Sequence, residues 1–403
     1  MVNGNLYGRK IQVLMSGQTS RKILVIIVVA QFCCTSVWFA VNAVIGDLQT
    51  AYQLSTGAIG YLTSAIQGGF IVGTLLFALF TVADRFSPSL VFCLSALAAT
   101  LLNLGMLLPF GNLTFLIGLR FLTGFMLAGI YPVGMKIASD YHREGLGKAL
   151  GYLVGALVLG TALPYLVKTL GSELPWQSVI YATSAFSFAG GAAIFFLVPD
   201  GPYRKAGQKP DPGVMVKVFF NPRFRSAAFG YFGHMWELYA FWAFVPVFMT
   251  AYFIEKSGSG TNLPLYAFLV IGLGSAGCVA GGYISARKGS RKVALFALAV
   301  SGMFCLISPL LFSLPLSFFI IAMVIWGFFV IMDSPQFSTL VAQSVPGENT
   351  GSALTIVNSI GFFITIISIQ LLNSLQAILE VRYLFLILLP GPVFGLIGLL
   401  KKK

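Results

Sequence analysis

Three observations predict an all-α membrane protein whose twelve transmembrane helices form two six-helix pseudo-repeats. Of the 403 residues, 57% are hydrophobic and 9% are charged, whereas ordinary soluble domains carry roughly 25% charged residues. Twelve largely apolar runs approach the roughly 20 residues that a helix needs to cross a bilayer. The stretch 118–164, two apolar runs around a polar turn, returns in altered form about 203 positions later. A repeat of that length indicates that one membrane unit was duplicated.

Helix boundaries lie where the apolar runs meet glycine, proline, asparagine or charged residues, which favour turns and loops. The longest link, 199–223, separates an N-terminal bundle at 22–198 from a C-terminal bundle at 224–400, and short segments remain at 1–21 and 401–403. The predicted helices span about 22–46, 55–83, 89–109, 113–138, 147–168, 178–198, 224–253, 264–286, 292–312, 316–341, 350–375 and 382–400.

The repeat is carried by matched small residues, and it also pairs helix 1 with helix 7. At the same offset, Gln31 of helix 1 corresponds to His234 of helix 7, and Cys34 corresponds to Glu237. Positions in one half therefore have counterparts in the other. The matched small residues are Gly124 with Gly327, Pro132 with Pro335 and, one position further, Gly147 with Gly351.

Lysine and arginine are distributed unevenly along the chain. With the N-terminus inside, 21 of the 25 basic residues fall in cytoplasmic segments, and such a bias sets the orientation of membrane proteins. We therefore expect both termini in the cytoplasm. The net charge of +13 then reflects topology and contact with anionic lipid, and no nucleic-acid partner is expected. The basic segment 217–225 could lie along the membrane surface.

Cysteine and catalytic patterns give no sign of an enzyme. The five cysteines all lie in apolar runs, without the spacing of a zinc site or a disulfide framework. No nucleophile–base pair or metal-ligand cluster is recognisable in the sequence. We therefore expect no catalysis, no metal and no cofactor, and a membrane-embedded enzyme is the least favoured function class.

Two motifs give the chain a family resemblance. Asp84 and Arg85 follow helix 2, and Arg120 begins an Arg-x-x-x-Gly pattern in helix 4. The second copy of the loop motif, between helices 8 and 9, keeps Arg287 and Gly289. Together with twelve helices in a parallel repeat, these motifs resemble the major facilitator superfamily over nearly the whole chain.

The resemblance implies a central cavity lined by helices 1, 4, 7 and 10, with helices 3, 6, 9 and 12 facing lipid. It assigns Asp84, Arg85, Arg287 and Gly289 to a cytoplasmic gate. It also implies that Asp84 packs near the start of helix 11 when the two halves close on the cytoplasmic side.

Ionisable residues inside the membrane mark candidate function, because each costs on the order of 2.5–3.5 kcal/mol to insert and usually faces a cavity or a partner. The predicted spans hold Arg120 in helix 4, His234 and Glu237 in helix 7, and Asp333 in helix 10. Helix 1 adds a polar face at helical spacing. The residues therefore pick out helices 1, 4, 7 and 10 without reference to the family. The polar face of helix 1 consists of Gln31, Thr35, Trp38 and Asn42.

Each ionisable residue has two interpretations. His234 and Glu237 share a helix face and suit a proton-sensing pair, since histidine titrates near neutrality. Alternatively, Glu237 neutralises Arg120 or makes a helix contact, and His234 is a packing residue. Arg120 either binds an anionic solute or makes a structural hydrogen bond to neighbouring backbone. Asp333 either lines the cavity or is a solvated residue at a helix end.

Three further candidates are less specific. Trp38 lies mid-helix and could form part of an aromatic wall for an organic solute, with ordinary helix packing as the alternative. Tyr131 in the repeated stretch and Asn358 in helix 11 are additional candidate polar contacts.

We expect a secondary active transporter that moves a small organic or anionic solute by alternating access, coupled to protons and acting as a monomer. A drug or metabolite exporter of the same fold and a non-transporting membrane sensor are the alternatives. The stretches 120–164 and 233–239 also resemble a bacterial group loosely related to the nitrate and cyanate porters. That likeness implies a bacterial inner membrane.

Overall fold

The structure, a computed structural model, is helical throughout the membrane region. It describes residues 21–109, 112–141, 146–204, 213, 217–256, 262–346 and 349–401. Within these ranges eleven helices are long and apolar enough to span a membrane, and one further membrane helix, α1, is built from three pieces: 21–35, Ala40–Ala43 and Ile45–Tyr52. The eleven are α2 Ala58–Leu79, α3 Pro88–Leu107, α4 Leu113–Tyr141, α5 Lys148–Leu170, α6 Gln177–Leu197, α7 Pro222–Glu255, α8 Leu263–Lys288, α9 Ser290–Leu311, α10 Leu316–Gln343, α11 Thr350–Leu375 and α12 Val381–Leu400.

Helix α1 is broken where the sequence predicts a continuous helix. The helical hydrogen bonding stops after residue 35 and resumes at Ala40. The hydroxyls of Thr35 and Ser36 donate to the carbonyls of Gln31 and Cys33, at 2.8 Å and 2.7 Å. Serine and threonine side chains that bond the preceding turn compete with the backbone and bend helices, so they contribute to the break.

Two other helices are interrupted beside a proline. Helix α4 is interrupted between Leu127 and Tyr131, and α10 is interrupted at Asp333. In each case the second half-helix has proline as its second residue, Pro132 in α4 and Pro335 in α10. Proline has no N–H and clashes with the preceding turn, but it fits the first turn of a new helix. The two interruptions lie at equivalent positions of the repeat.

The two halves meet along α2 and α11 at the end of the bundle opposite the chain termini. Gln370 of α11 donates to the carbonyl of Gly60 and to the hydroxyl of Ser64, at 3.0 Å and 2.7 Å. Asn373 donates to the carbonyl of Gly57 at 3.1 Å. A Cβ at Gly60 would lie 2.3 Å from Cγ of Asn373, so glycine is required for this close approach.

A second contact between the halves runs along α5 and α8. The hydroxyls of Tyr152 and Tyr283 lie 2.7 Å apart. Deeper in the membrane, a Cβ at Gly155 would lie 3.2 Å from the carbonyl oxygen of Ser275. Small residues allow two membrane helices to pack this closely.

The outward faces of α3, α6, α9 and α12 carry exposed apolar side chains, such as Leu101, Phe196, Leu310 and Phe394.

Candidate functional site

Arg120 lies at the break in α1. Its side chain is buried, with 1% exposed, and its guanidinium donates to the carbonyl oxygens of Val37, at 2.9 Å, and Trp38. Both carbonyls are free to accept because the helix stops at this point. The Nε–H has no hydrogen-bond partner, and no carboxylate pairs with this guanidinium among the described residues. The backbone contact foreseen for Arg120 is confirmed, and one donor is left unused.

An aromatic cluster fills the centre of the molecule and joins the two halves. Trp38 of α1 stacks on Tyr239 of α7 and Phe362 of α11, with ring centroids 5.9 Å and 6.0 Å apart. Phe70 of α2 lies 4.9 Å from Trp38 and 4.5 Å from Phe362. Each of these four side chains is buried. We call these four residues the central aromatic cluster.

Several buried side chains, some of them on the helices of this cluster, have polar atoms without a hydrogen-bond partner. Gln67 lies one helical turn before Phe70, and Ser359 lies one turn before Phe362, so each shares a face with a ring of the cluster. A buried polar group without a partner costs about 1–3 kcal/mol, so such groups call for water or a ligand. Among the described residues, the side chains with such atoms include Gln31, Gln67, Tyr165, Ser359 and the indole nitrogens of Trp38 and Trp242.

His234 and Asp333 form a buried pair between α7 and α10. Nδ1 of His234 lies 2.8 Å from Oδ1 of Asp333, and both side chains are 1% exposed. Asp333 is the residue at which α10 is interrupted. Asp333 does lie at the end of a half-helix, but the alternative that it is solvated is wrong, because its side chain is buried against His234. Nε2 of His234 has no hydrogen-bond partner.

Glu237 faces the interior of the C-terminal half rather than Arg120. Its Oε1 accepts hydrogen bonds from the hydroxyl of Ser301, the thiol of Cys305, at 3.3 Å, and the indole N–H of Trp326, at 2.9 Å. The alternative that Glu237 neutralises Arg120 is wrong, because its carboxylate is held by donors from α9 and α10. The polar atoms of His234 and Glu237 are thus engaged by different partners.

The predicted gating residues lie at the end of the bundle that carries the termini. The carboxylate of Asp84 lies 2.8 Å from Nζ of Lys136 in α4, with side chains 23% and 22% exposed. At the start of α11, a Cβ at Gly351 would meet no described atom within 4 Å. The contact foreseen between Asp84 and the start of α11 is therefore absent from the described residues in this conformation. The family motif implies that contact for a closed cytoplasmic side, whereas here α2 and α11 meet at the other end.

The remaining predicted residues have varied surroundings. Arg85 and Arg287 are exposed, and Gly289 adopts a φ of 84° between α8 and α9, a left-handed conformation that favours glycine. Two candidates lie near the central aromatic cluster or on its helices. Tyr131 is half-buried, with its ring 6.5 Å from that of Phe70, and Asn358 is half-buried on α11.

Asn42 is tied to α2, and Gln31 lies against α4. The amide of Asn42 donates to the hydroxyl of Thr63 at 2.8 Å. A Cβ at Gly134 would lie 2.3 Å from Oε1 of Gln31. Sequence reasoning missed Gln67, Tyr165 and Ser359. A search for amides inside apolar runs would have found Gln67, whereas tyrosine and serine are too common in membrane helices to be singled out.

A family model for the Major Facilitator Superfamily matches residues 27–369. The chain belongs to this superfamily. Among curated proteins, a protein of Escherichia coli (strain K12) described as "Putative transporter AraJ" is 23% identical over 286 residues, covering 68% of this chain and 68% of that protein. Membership of the superfamily indicates a transporter rather than an enzyme, with a small-molecule substrate and a bilayer environment.

Solved structures of superfamily proteins share the fold at 14% identity. The proton:xylose symporter XylE superimposes with a TM-score of 0.75, covering 96% of this chain and 95% of that one. The nucleoside transporter NupG gives 0.72, covering 94% and 100%, and the human organic anion transporter MFSD10 gives 0.68, covering 94% and 99%. These likenesses show the twelve-helix fold. The family model and the apolar helices support an integral, multi-pass membrane protein.

Proposed function

We propose that this superfamily member is a proton-coupled secondary active transporter of a small anionic organic solute. The observation that carries the proposal is Arg120, a buried guanidinium with an unused N–H and no carboxylate partner among the described residues. An uncompensated buried charge costs several kcal/mol, and a bound anion would reduce that cost. The planar fork of a guanidinium matches carboxylate and phosphate groups.

The organic part of the solute would bind at the central aromatic cluster. Trp38 and Phe70 come from the N-terminal half, and Tyr239 and Phe362 from the C-terminal half. Aromatic faces bind planar or apolar groups, while the unpaired amides of Gln31 and Gln67 can bond hydroxyl or carbonyl groups. A solute held between these rings would contact both halves, which is what alternating access requires of a central site.

The proton site in this proposal is the His234–Asp333 pair. A proton on His234 gives a buried ion pair between α7 and α10, while its loss leaves the carboxylate with a neutral neighbour. Asp333 lies at the interruption of α10. A change in the attraction between His234 and Asp333 therefore acts on the point where the two half-helices of α10 meet. Glu237 acts in the proposal as a structural residue, because three donors hold one of its oxygens.

The contact between α2 and α11 would be the outer gate. Asn373 and Gln370 close the end opposite the termini, so this end must open for solute to exchange there. With both termini in the cytoplasm, as the basic residues indicate, the closed end faces away from the cytoplasm.

Counterflow in proteoliposomes tests the solute class. Vesicles containing the purified protein are preloaded with one member of a panel of carboxylates, phosphate esters, neutral sugars, nucleosides or organic cations, and uptake of the labelled compound is followed. We expect exchange for one or more anions, and accumulation of the same anion when a pH gradient is imposed. Exchange restricted to neutral or cationic compounds would contradict the proposal. If compounds stabilise the protein against heat but none is exchanged, the protein is a sensor.

A further inference from the structure

A cavity of about 610 Å³ opens at the termini-bearing end of the C-terminal half, between α7, α9, α10 and α12. It lies within one half of the molecule, away from the central aromatic cluster. Its volume is in the range of small-molecule sites, roughly 300–1,000 Å³. Nothing in the proposed transport cycle uses it.

Basic side chains from three helices line this cavity. Arg223 lies at the start of α7, Arg291 at the start of α9, and Lys401 directly after α12. The guanidinium of Arg291 donates to the carbonyl of Leu399. Arg223 and Lys401 have no ion-pair partner among the described residues, and no described acidic residue lines the cavity. In the sequence two more lysines follow Lys401.

Backbone groups at the helix ends make the electrostatic potential of the cavity more positive. Helices α7 and α9 both direct the positive end of the helix dipole toward this end of the bundle. The first turn of α9 has no side-chain cap and adds unpaired N–H groups, whereas in α7 the N–H of Arg223 donates to the side chain of Asn221 at 2.9 Å. Carbonyls at the ends of α10 and α12 would oppose this, but two of them are already bonded. Asn221 donates to the carbonyl of Ser344 at 2.7 Å, and Arg291 donates to that of Leu399.

Apart from Ser226, Gln343 and Ser344, the rest of the lining is apolar, and it continues onto the lipid-facing surface. Leu295, Leu340 and Leu399 line the cavity together with Leu400, and Leu400 is 62% exposed. On the adjoining face of α9, Phe296 is 58% exposed. The site thus combines cations at the membrane surface with an apolar path to the bilayer, and this combination distinguishes a lipid from a free phosphate ion.

We propose that this cavity binds the phosphate headgroup of one anionic phospholipid, with Arg223, Arg291 and Lys401 around the phosphate and an acyl chain leaving past Leu400. Basic pockets between membrane helices are suited to such headgroups. The lipid joins the ends of α7, α9 and α12. It therefore stabilises the C-terminal half without contacting the transported solute.

Native mass spectrometry of the detergent-solubilised protein tests the assignment by counting bound molecules. Three probes are titrated: dihexanoyl phosphatidylglycerol, dihexanoyl phosphatidylcholine and glycerol 3-phosphate. The variants are Arg223→Gln and Lys401→Gln, and the matched control is Arg225→Gln, which removes the same charge from α7 at an exposed position outside the lining. Arg291 is left intact because it also bonds the backbone of α12. Melting temperatures of the ligand-free variants show whether each is folded.

We expect one phosphatidylglycerol to bind saturably. Arg223→Gln and Lys401→Gln should each raise its Kd about tenfold, the factor that corresponds to about 1.4 kcal/mol, and Arg225→Gln should change it less than about twofold. An equal loss in the control would mean diffuse attraction and overturn the proposal. Equal affinity for phosphatidylcholine, or for glycerol 3-phosphate, would also overturn it, because the site would then not select an anionic lipid. Absence of saturable binding has the same consequence.

Discussion

The two halves of the molecule differ in whether their central ionisable side chains have side-chain partners. In the N-terminal half, Arg120 retains an unused N–H, and the amides of Gln31 and Gln67 have no partner. In the C-terminal half, Asp333 lies against His234, and Glu237 accepts three hydrogen bonds. The difference lies in the side chains and also in the backbone, because α1 is interrupted where its counterpart α7 is one continuous helix. In our proposal the N-terminal half therefore supplies the charged and amide contacts to the solute, while the C-terminal half binds the proton.

The repeat makes this comparison position by position. At the repeat offset, Gln31 corresponds to His234 and Cys34 corresponds to Glu237. Two neutral positions in α1 are thus titratable in α7. A duplicated scaffold can thus carry acid–base groups in one half at positions that are uncharged in the other.

The largest effect is expected at Arg120. Arg120→Lys should reduce solute uptake in proteoliposomes about 100-fold, or about 2.8 kcal/mol at 1.4 kcal/mol per factor of ten. An ammonium group cannot both bond two carbonyls in fixed geometry and present a planar fork to an anion. Lys168→Gln, at a half-exposed ion pair with Asp47, is the control for loss of a basic residue. Uptake within a few-fold of wild type in Arg120→Lys would show that the N-terminal half does not select the anion.

The next effect separates the two acidic sites of the C-terminal half. Asp333→Asn should lower accumulation driven by a pH gradient about tenfold or more, because proton transfer to a positioned group is lost, while leaving exchange at equal pH largely intact. Glu237→Gln is the matched comparison, since it also removes one buried carboxylate from this half. If Glu237→Gln uncouples transport and Asp333→Asn does not, the proton site lies at Glu237 and our assignment is wrong.

A smaller change is expected where the halves touch. Gly60→Ala places a methyl group against Asn373 and should cost about 1–3 kcal/mol of the closed contact. Spin labels on the outer ends of α2 and α11 should then report a larger fraction of long distances. Gly68→Ala on the same helix serves as control, because its Cβ would have its nearest neighbour at 3.8 Å. Identical distance distributions in Gly60→Ala and wild type would exclude this contact as a gate.

The smallest effect concerns Asp84. Its pair with Lys136 lies partly exposed within the N-terminal half, and such pairs contribute about 0–1 kcal/mol. Asp84→Asn should therefore shift the melting temperature by only a few degrees. Distances between the termini-side ends of α2 and α11 provide a second measurement. A clear gain of the inward-open population in Asp84→Asn would show that this residue also contacts α11 in another conformation, as the family motif implies.

The sequence identified candidate site residues best where the residue type is rare inside a membrane. Arg120 and Asp333 stand out in apolar runs, and both are buried in the structure. Their partners could not be predicted. Ser301 and Cys305 lie on α9, a helix without an internal charge, and small polar residues of this kind are common in every membrane helix. Which of them meets Glu237 depends on helix rotation and crossing angle, which a single sequence does not encode locally.

The break in α1 also could not be predicted from the sequence. It contains neither proline nor glycine, the residues that usually mark an interruption. The hydroxyls of Thr35 and Ser36 favour a bend, but the carbonyls that the break leaves open are bonded by Arg120, which comes from another helix. The breaks in α4 and α10, by contrast, each precede a proline that was visible in the repeat.

The pairing of Arg120 with the broken turn of α1 has a consequence for biosynthesis. The guanidinium and the carbonyl of Trp38 are 82 residues apart in the chain. At roughly 5–20 residues per second, the ribosome needs roughly 4–16 seconds to cover that distance. During this interval the nascent first helix has no arginine to bond its open carbonyls, so an unbroken helix is its favourable form in the bilayer. Arrival of the fourth helix would then bend the first one, and the proposed solute site would be assembled only after both have left the translocon.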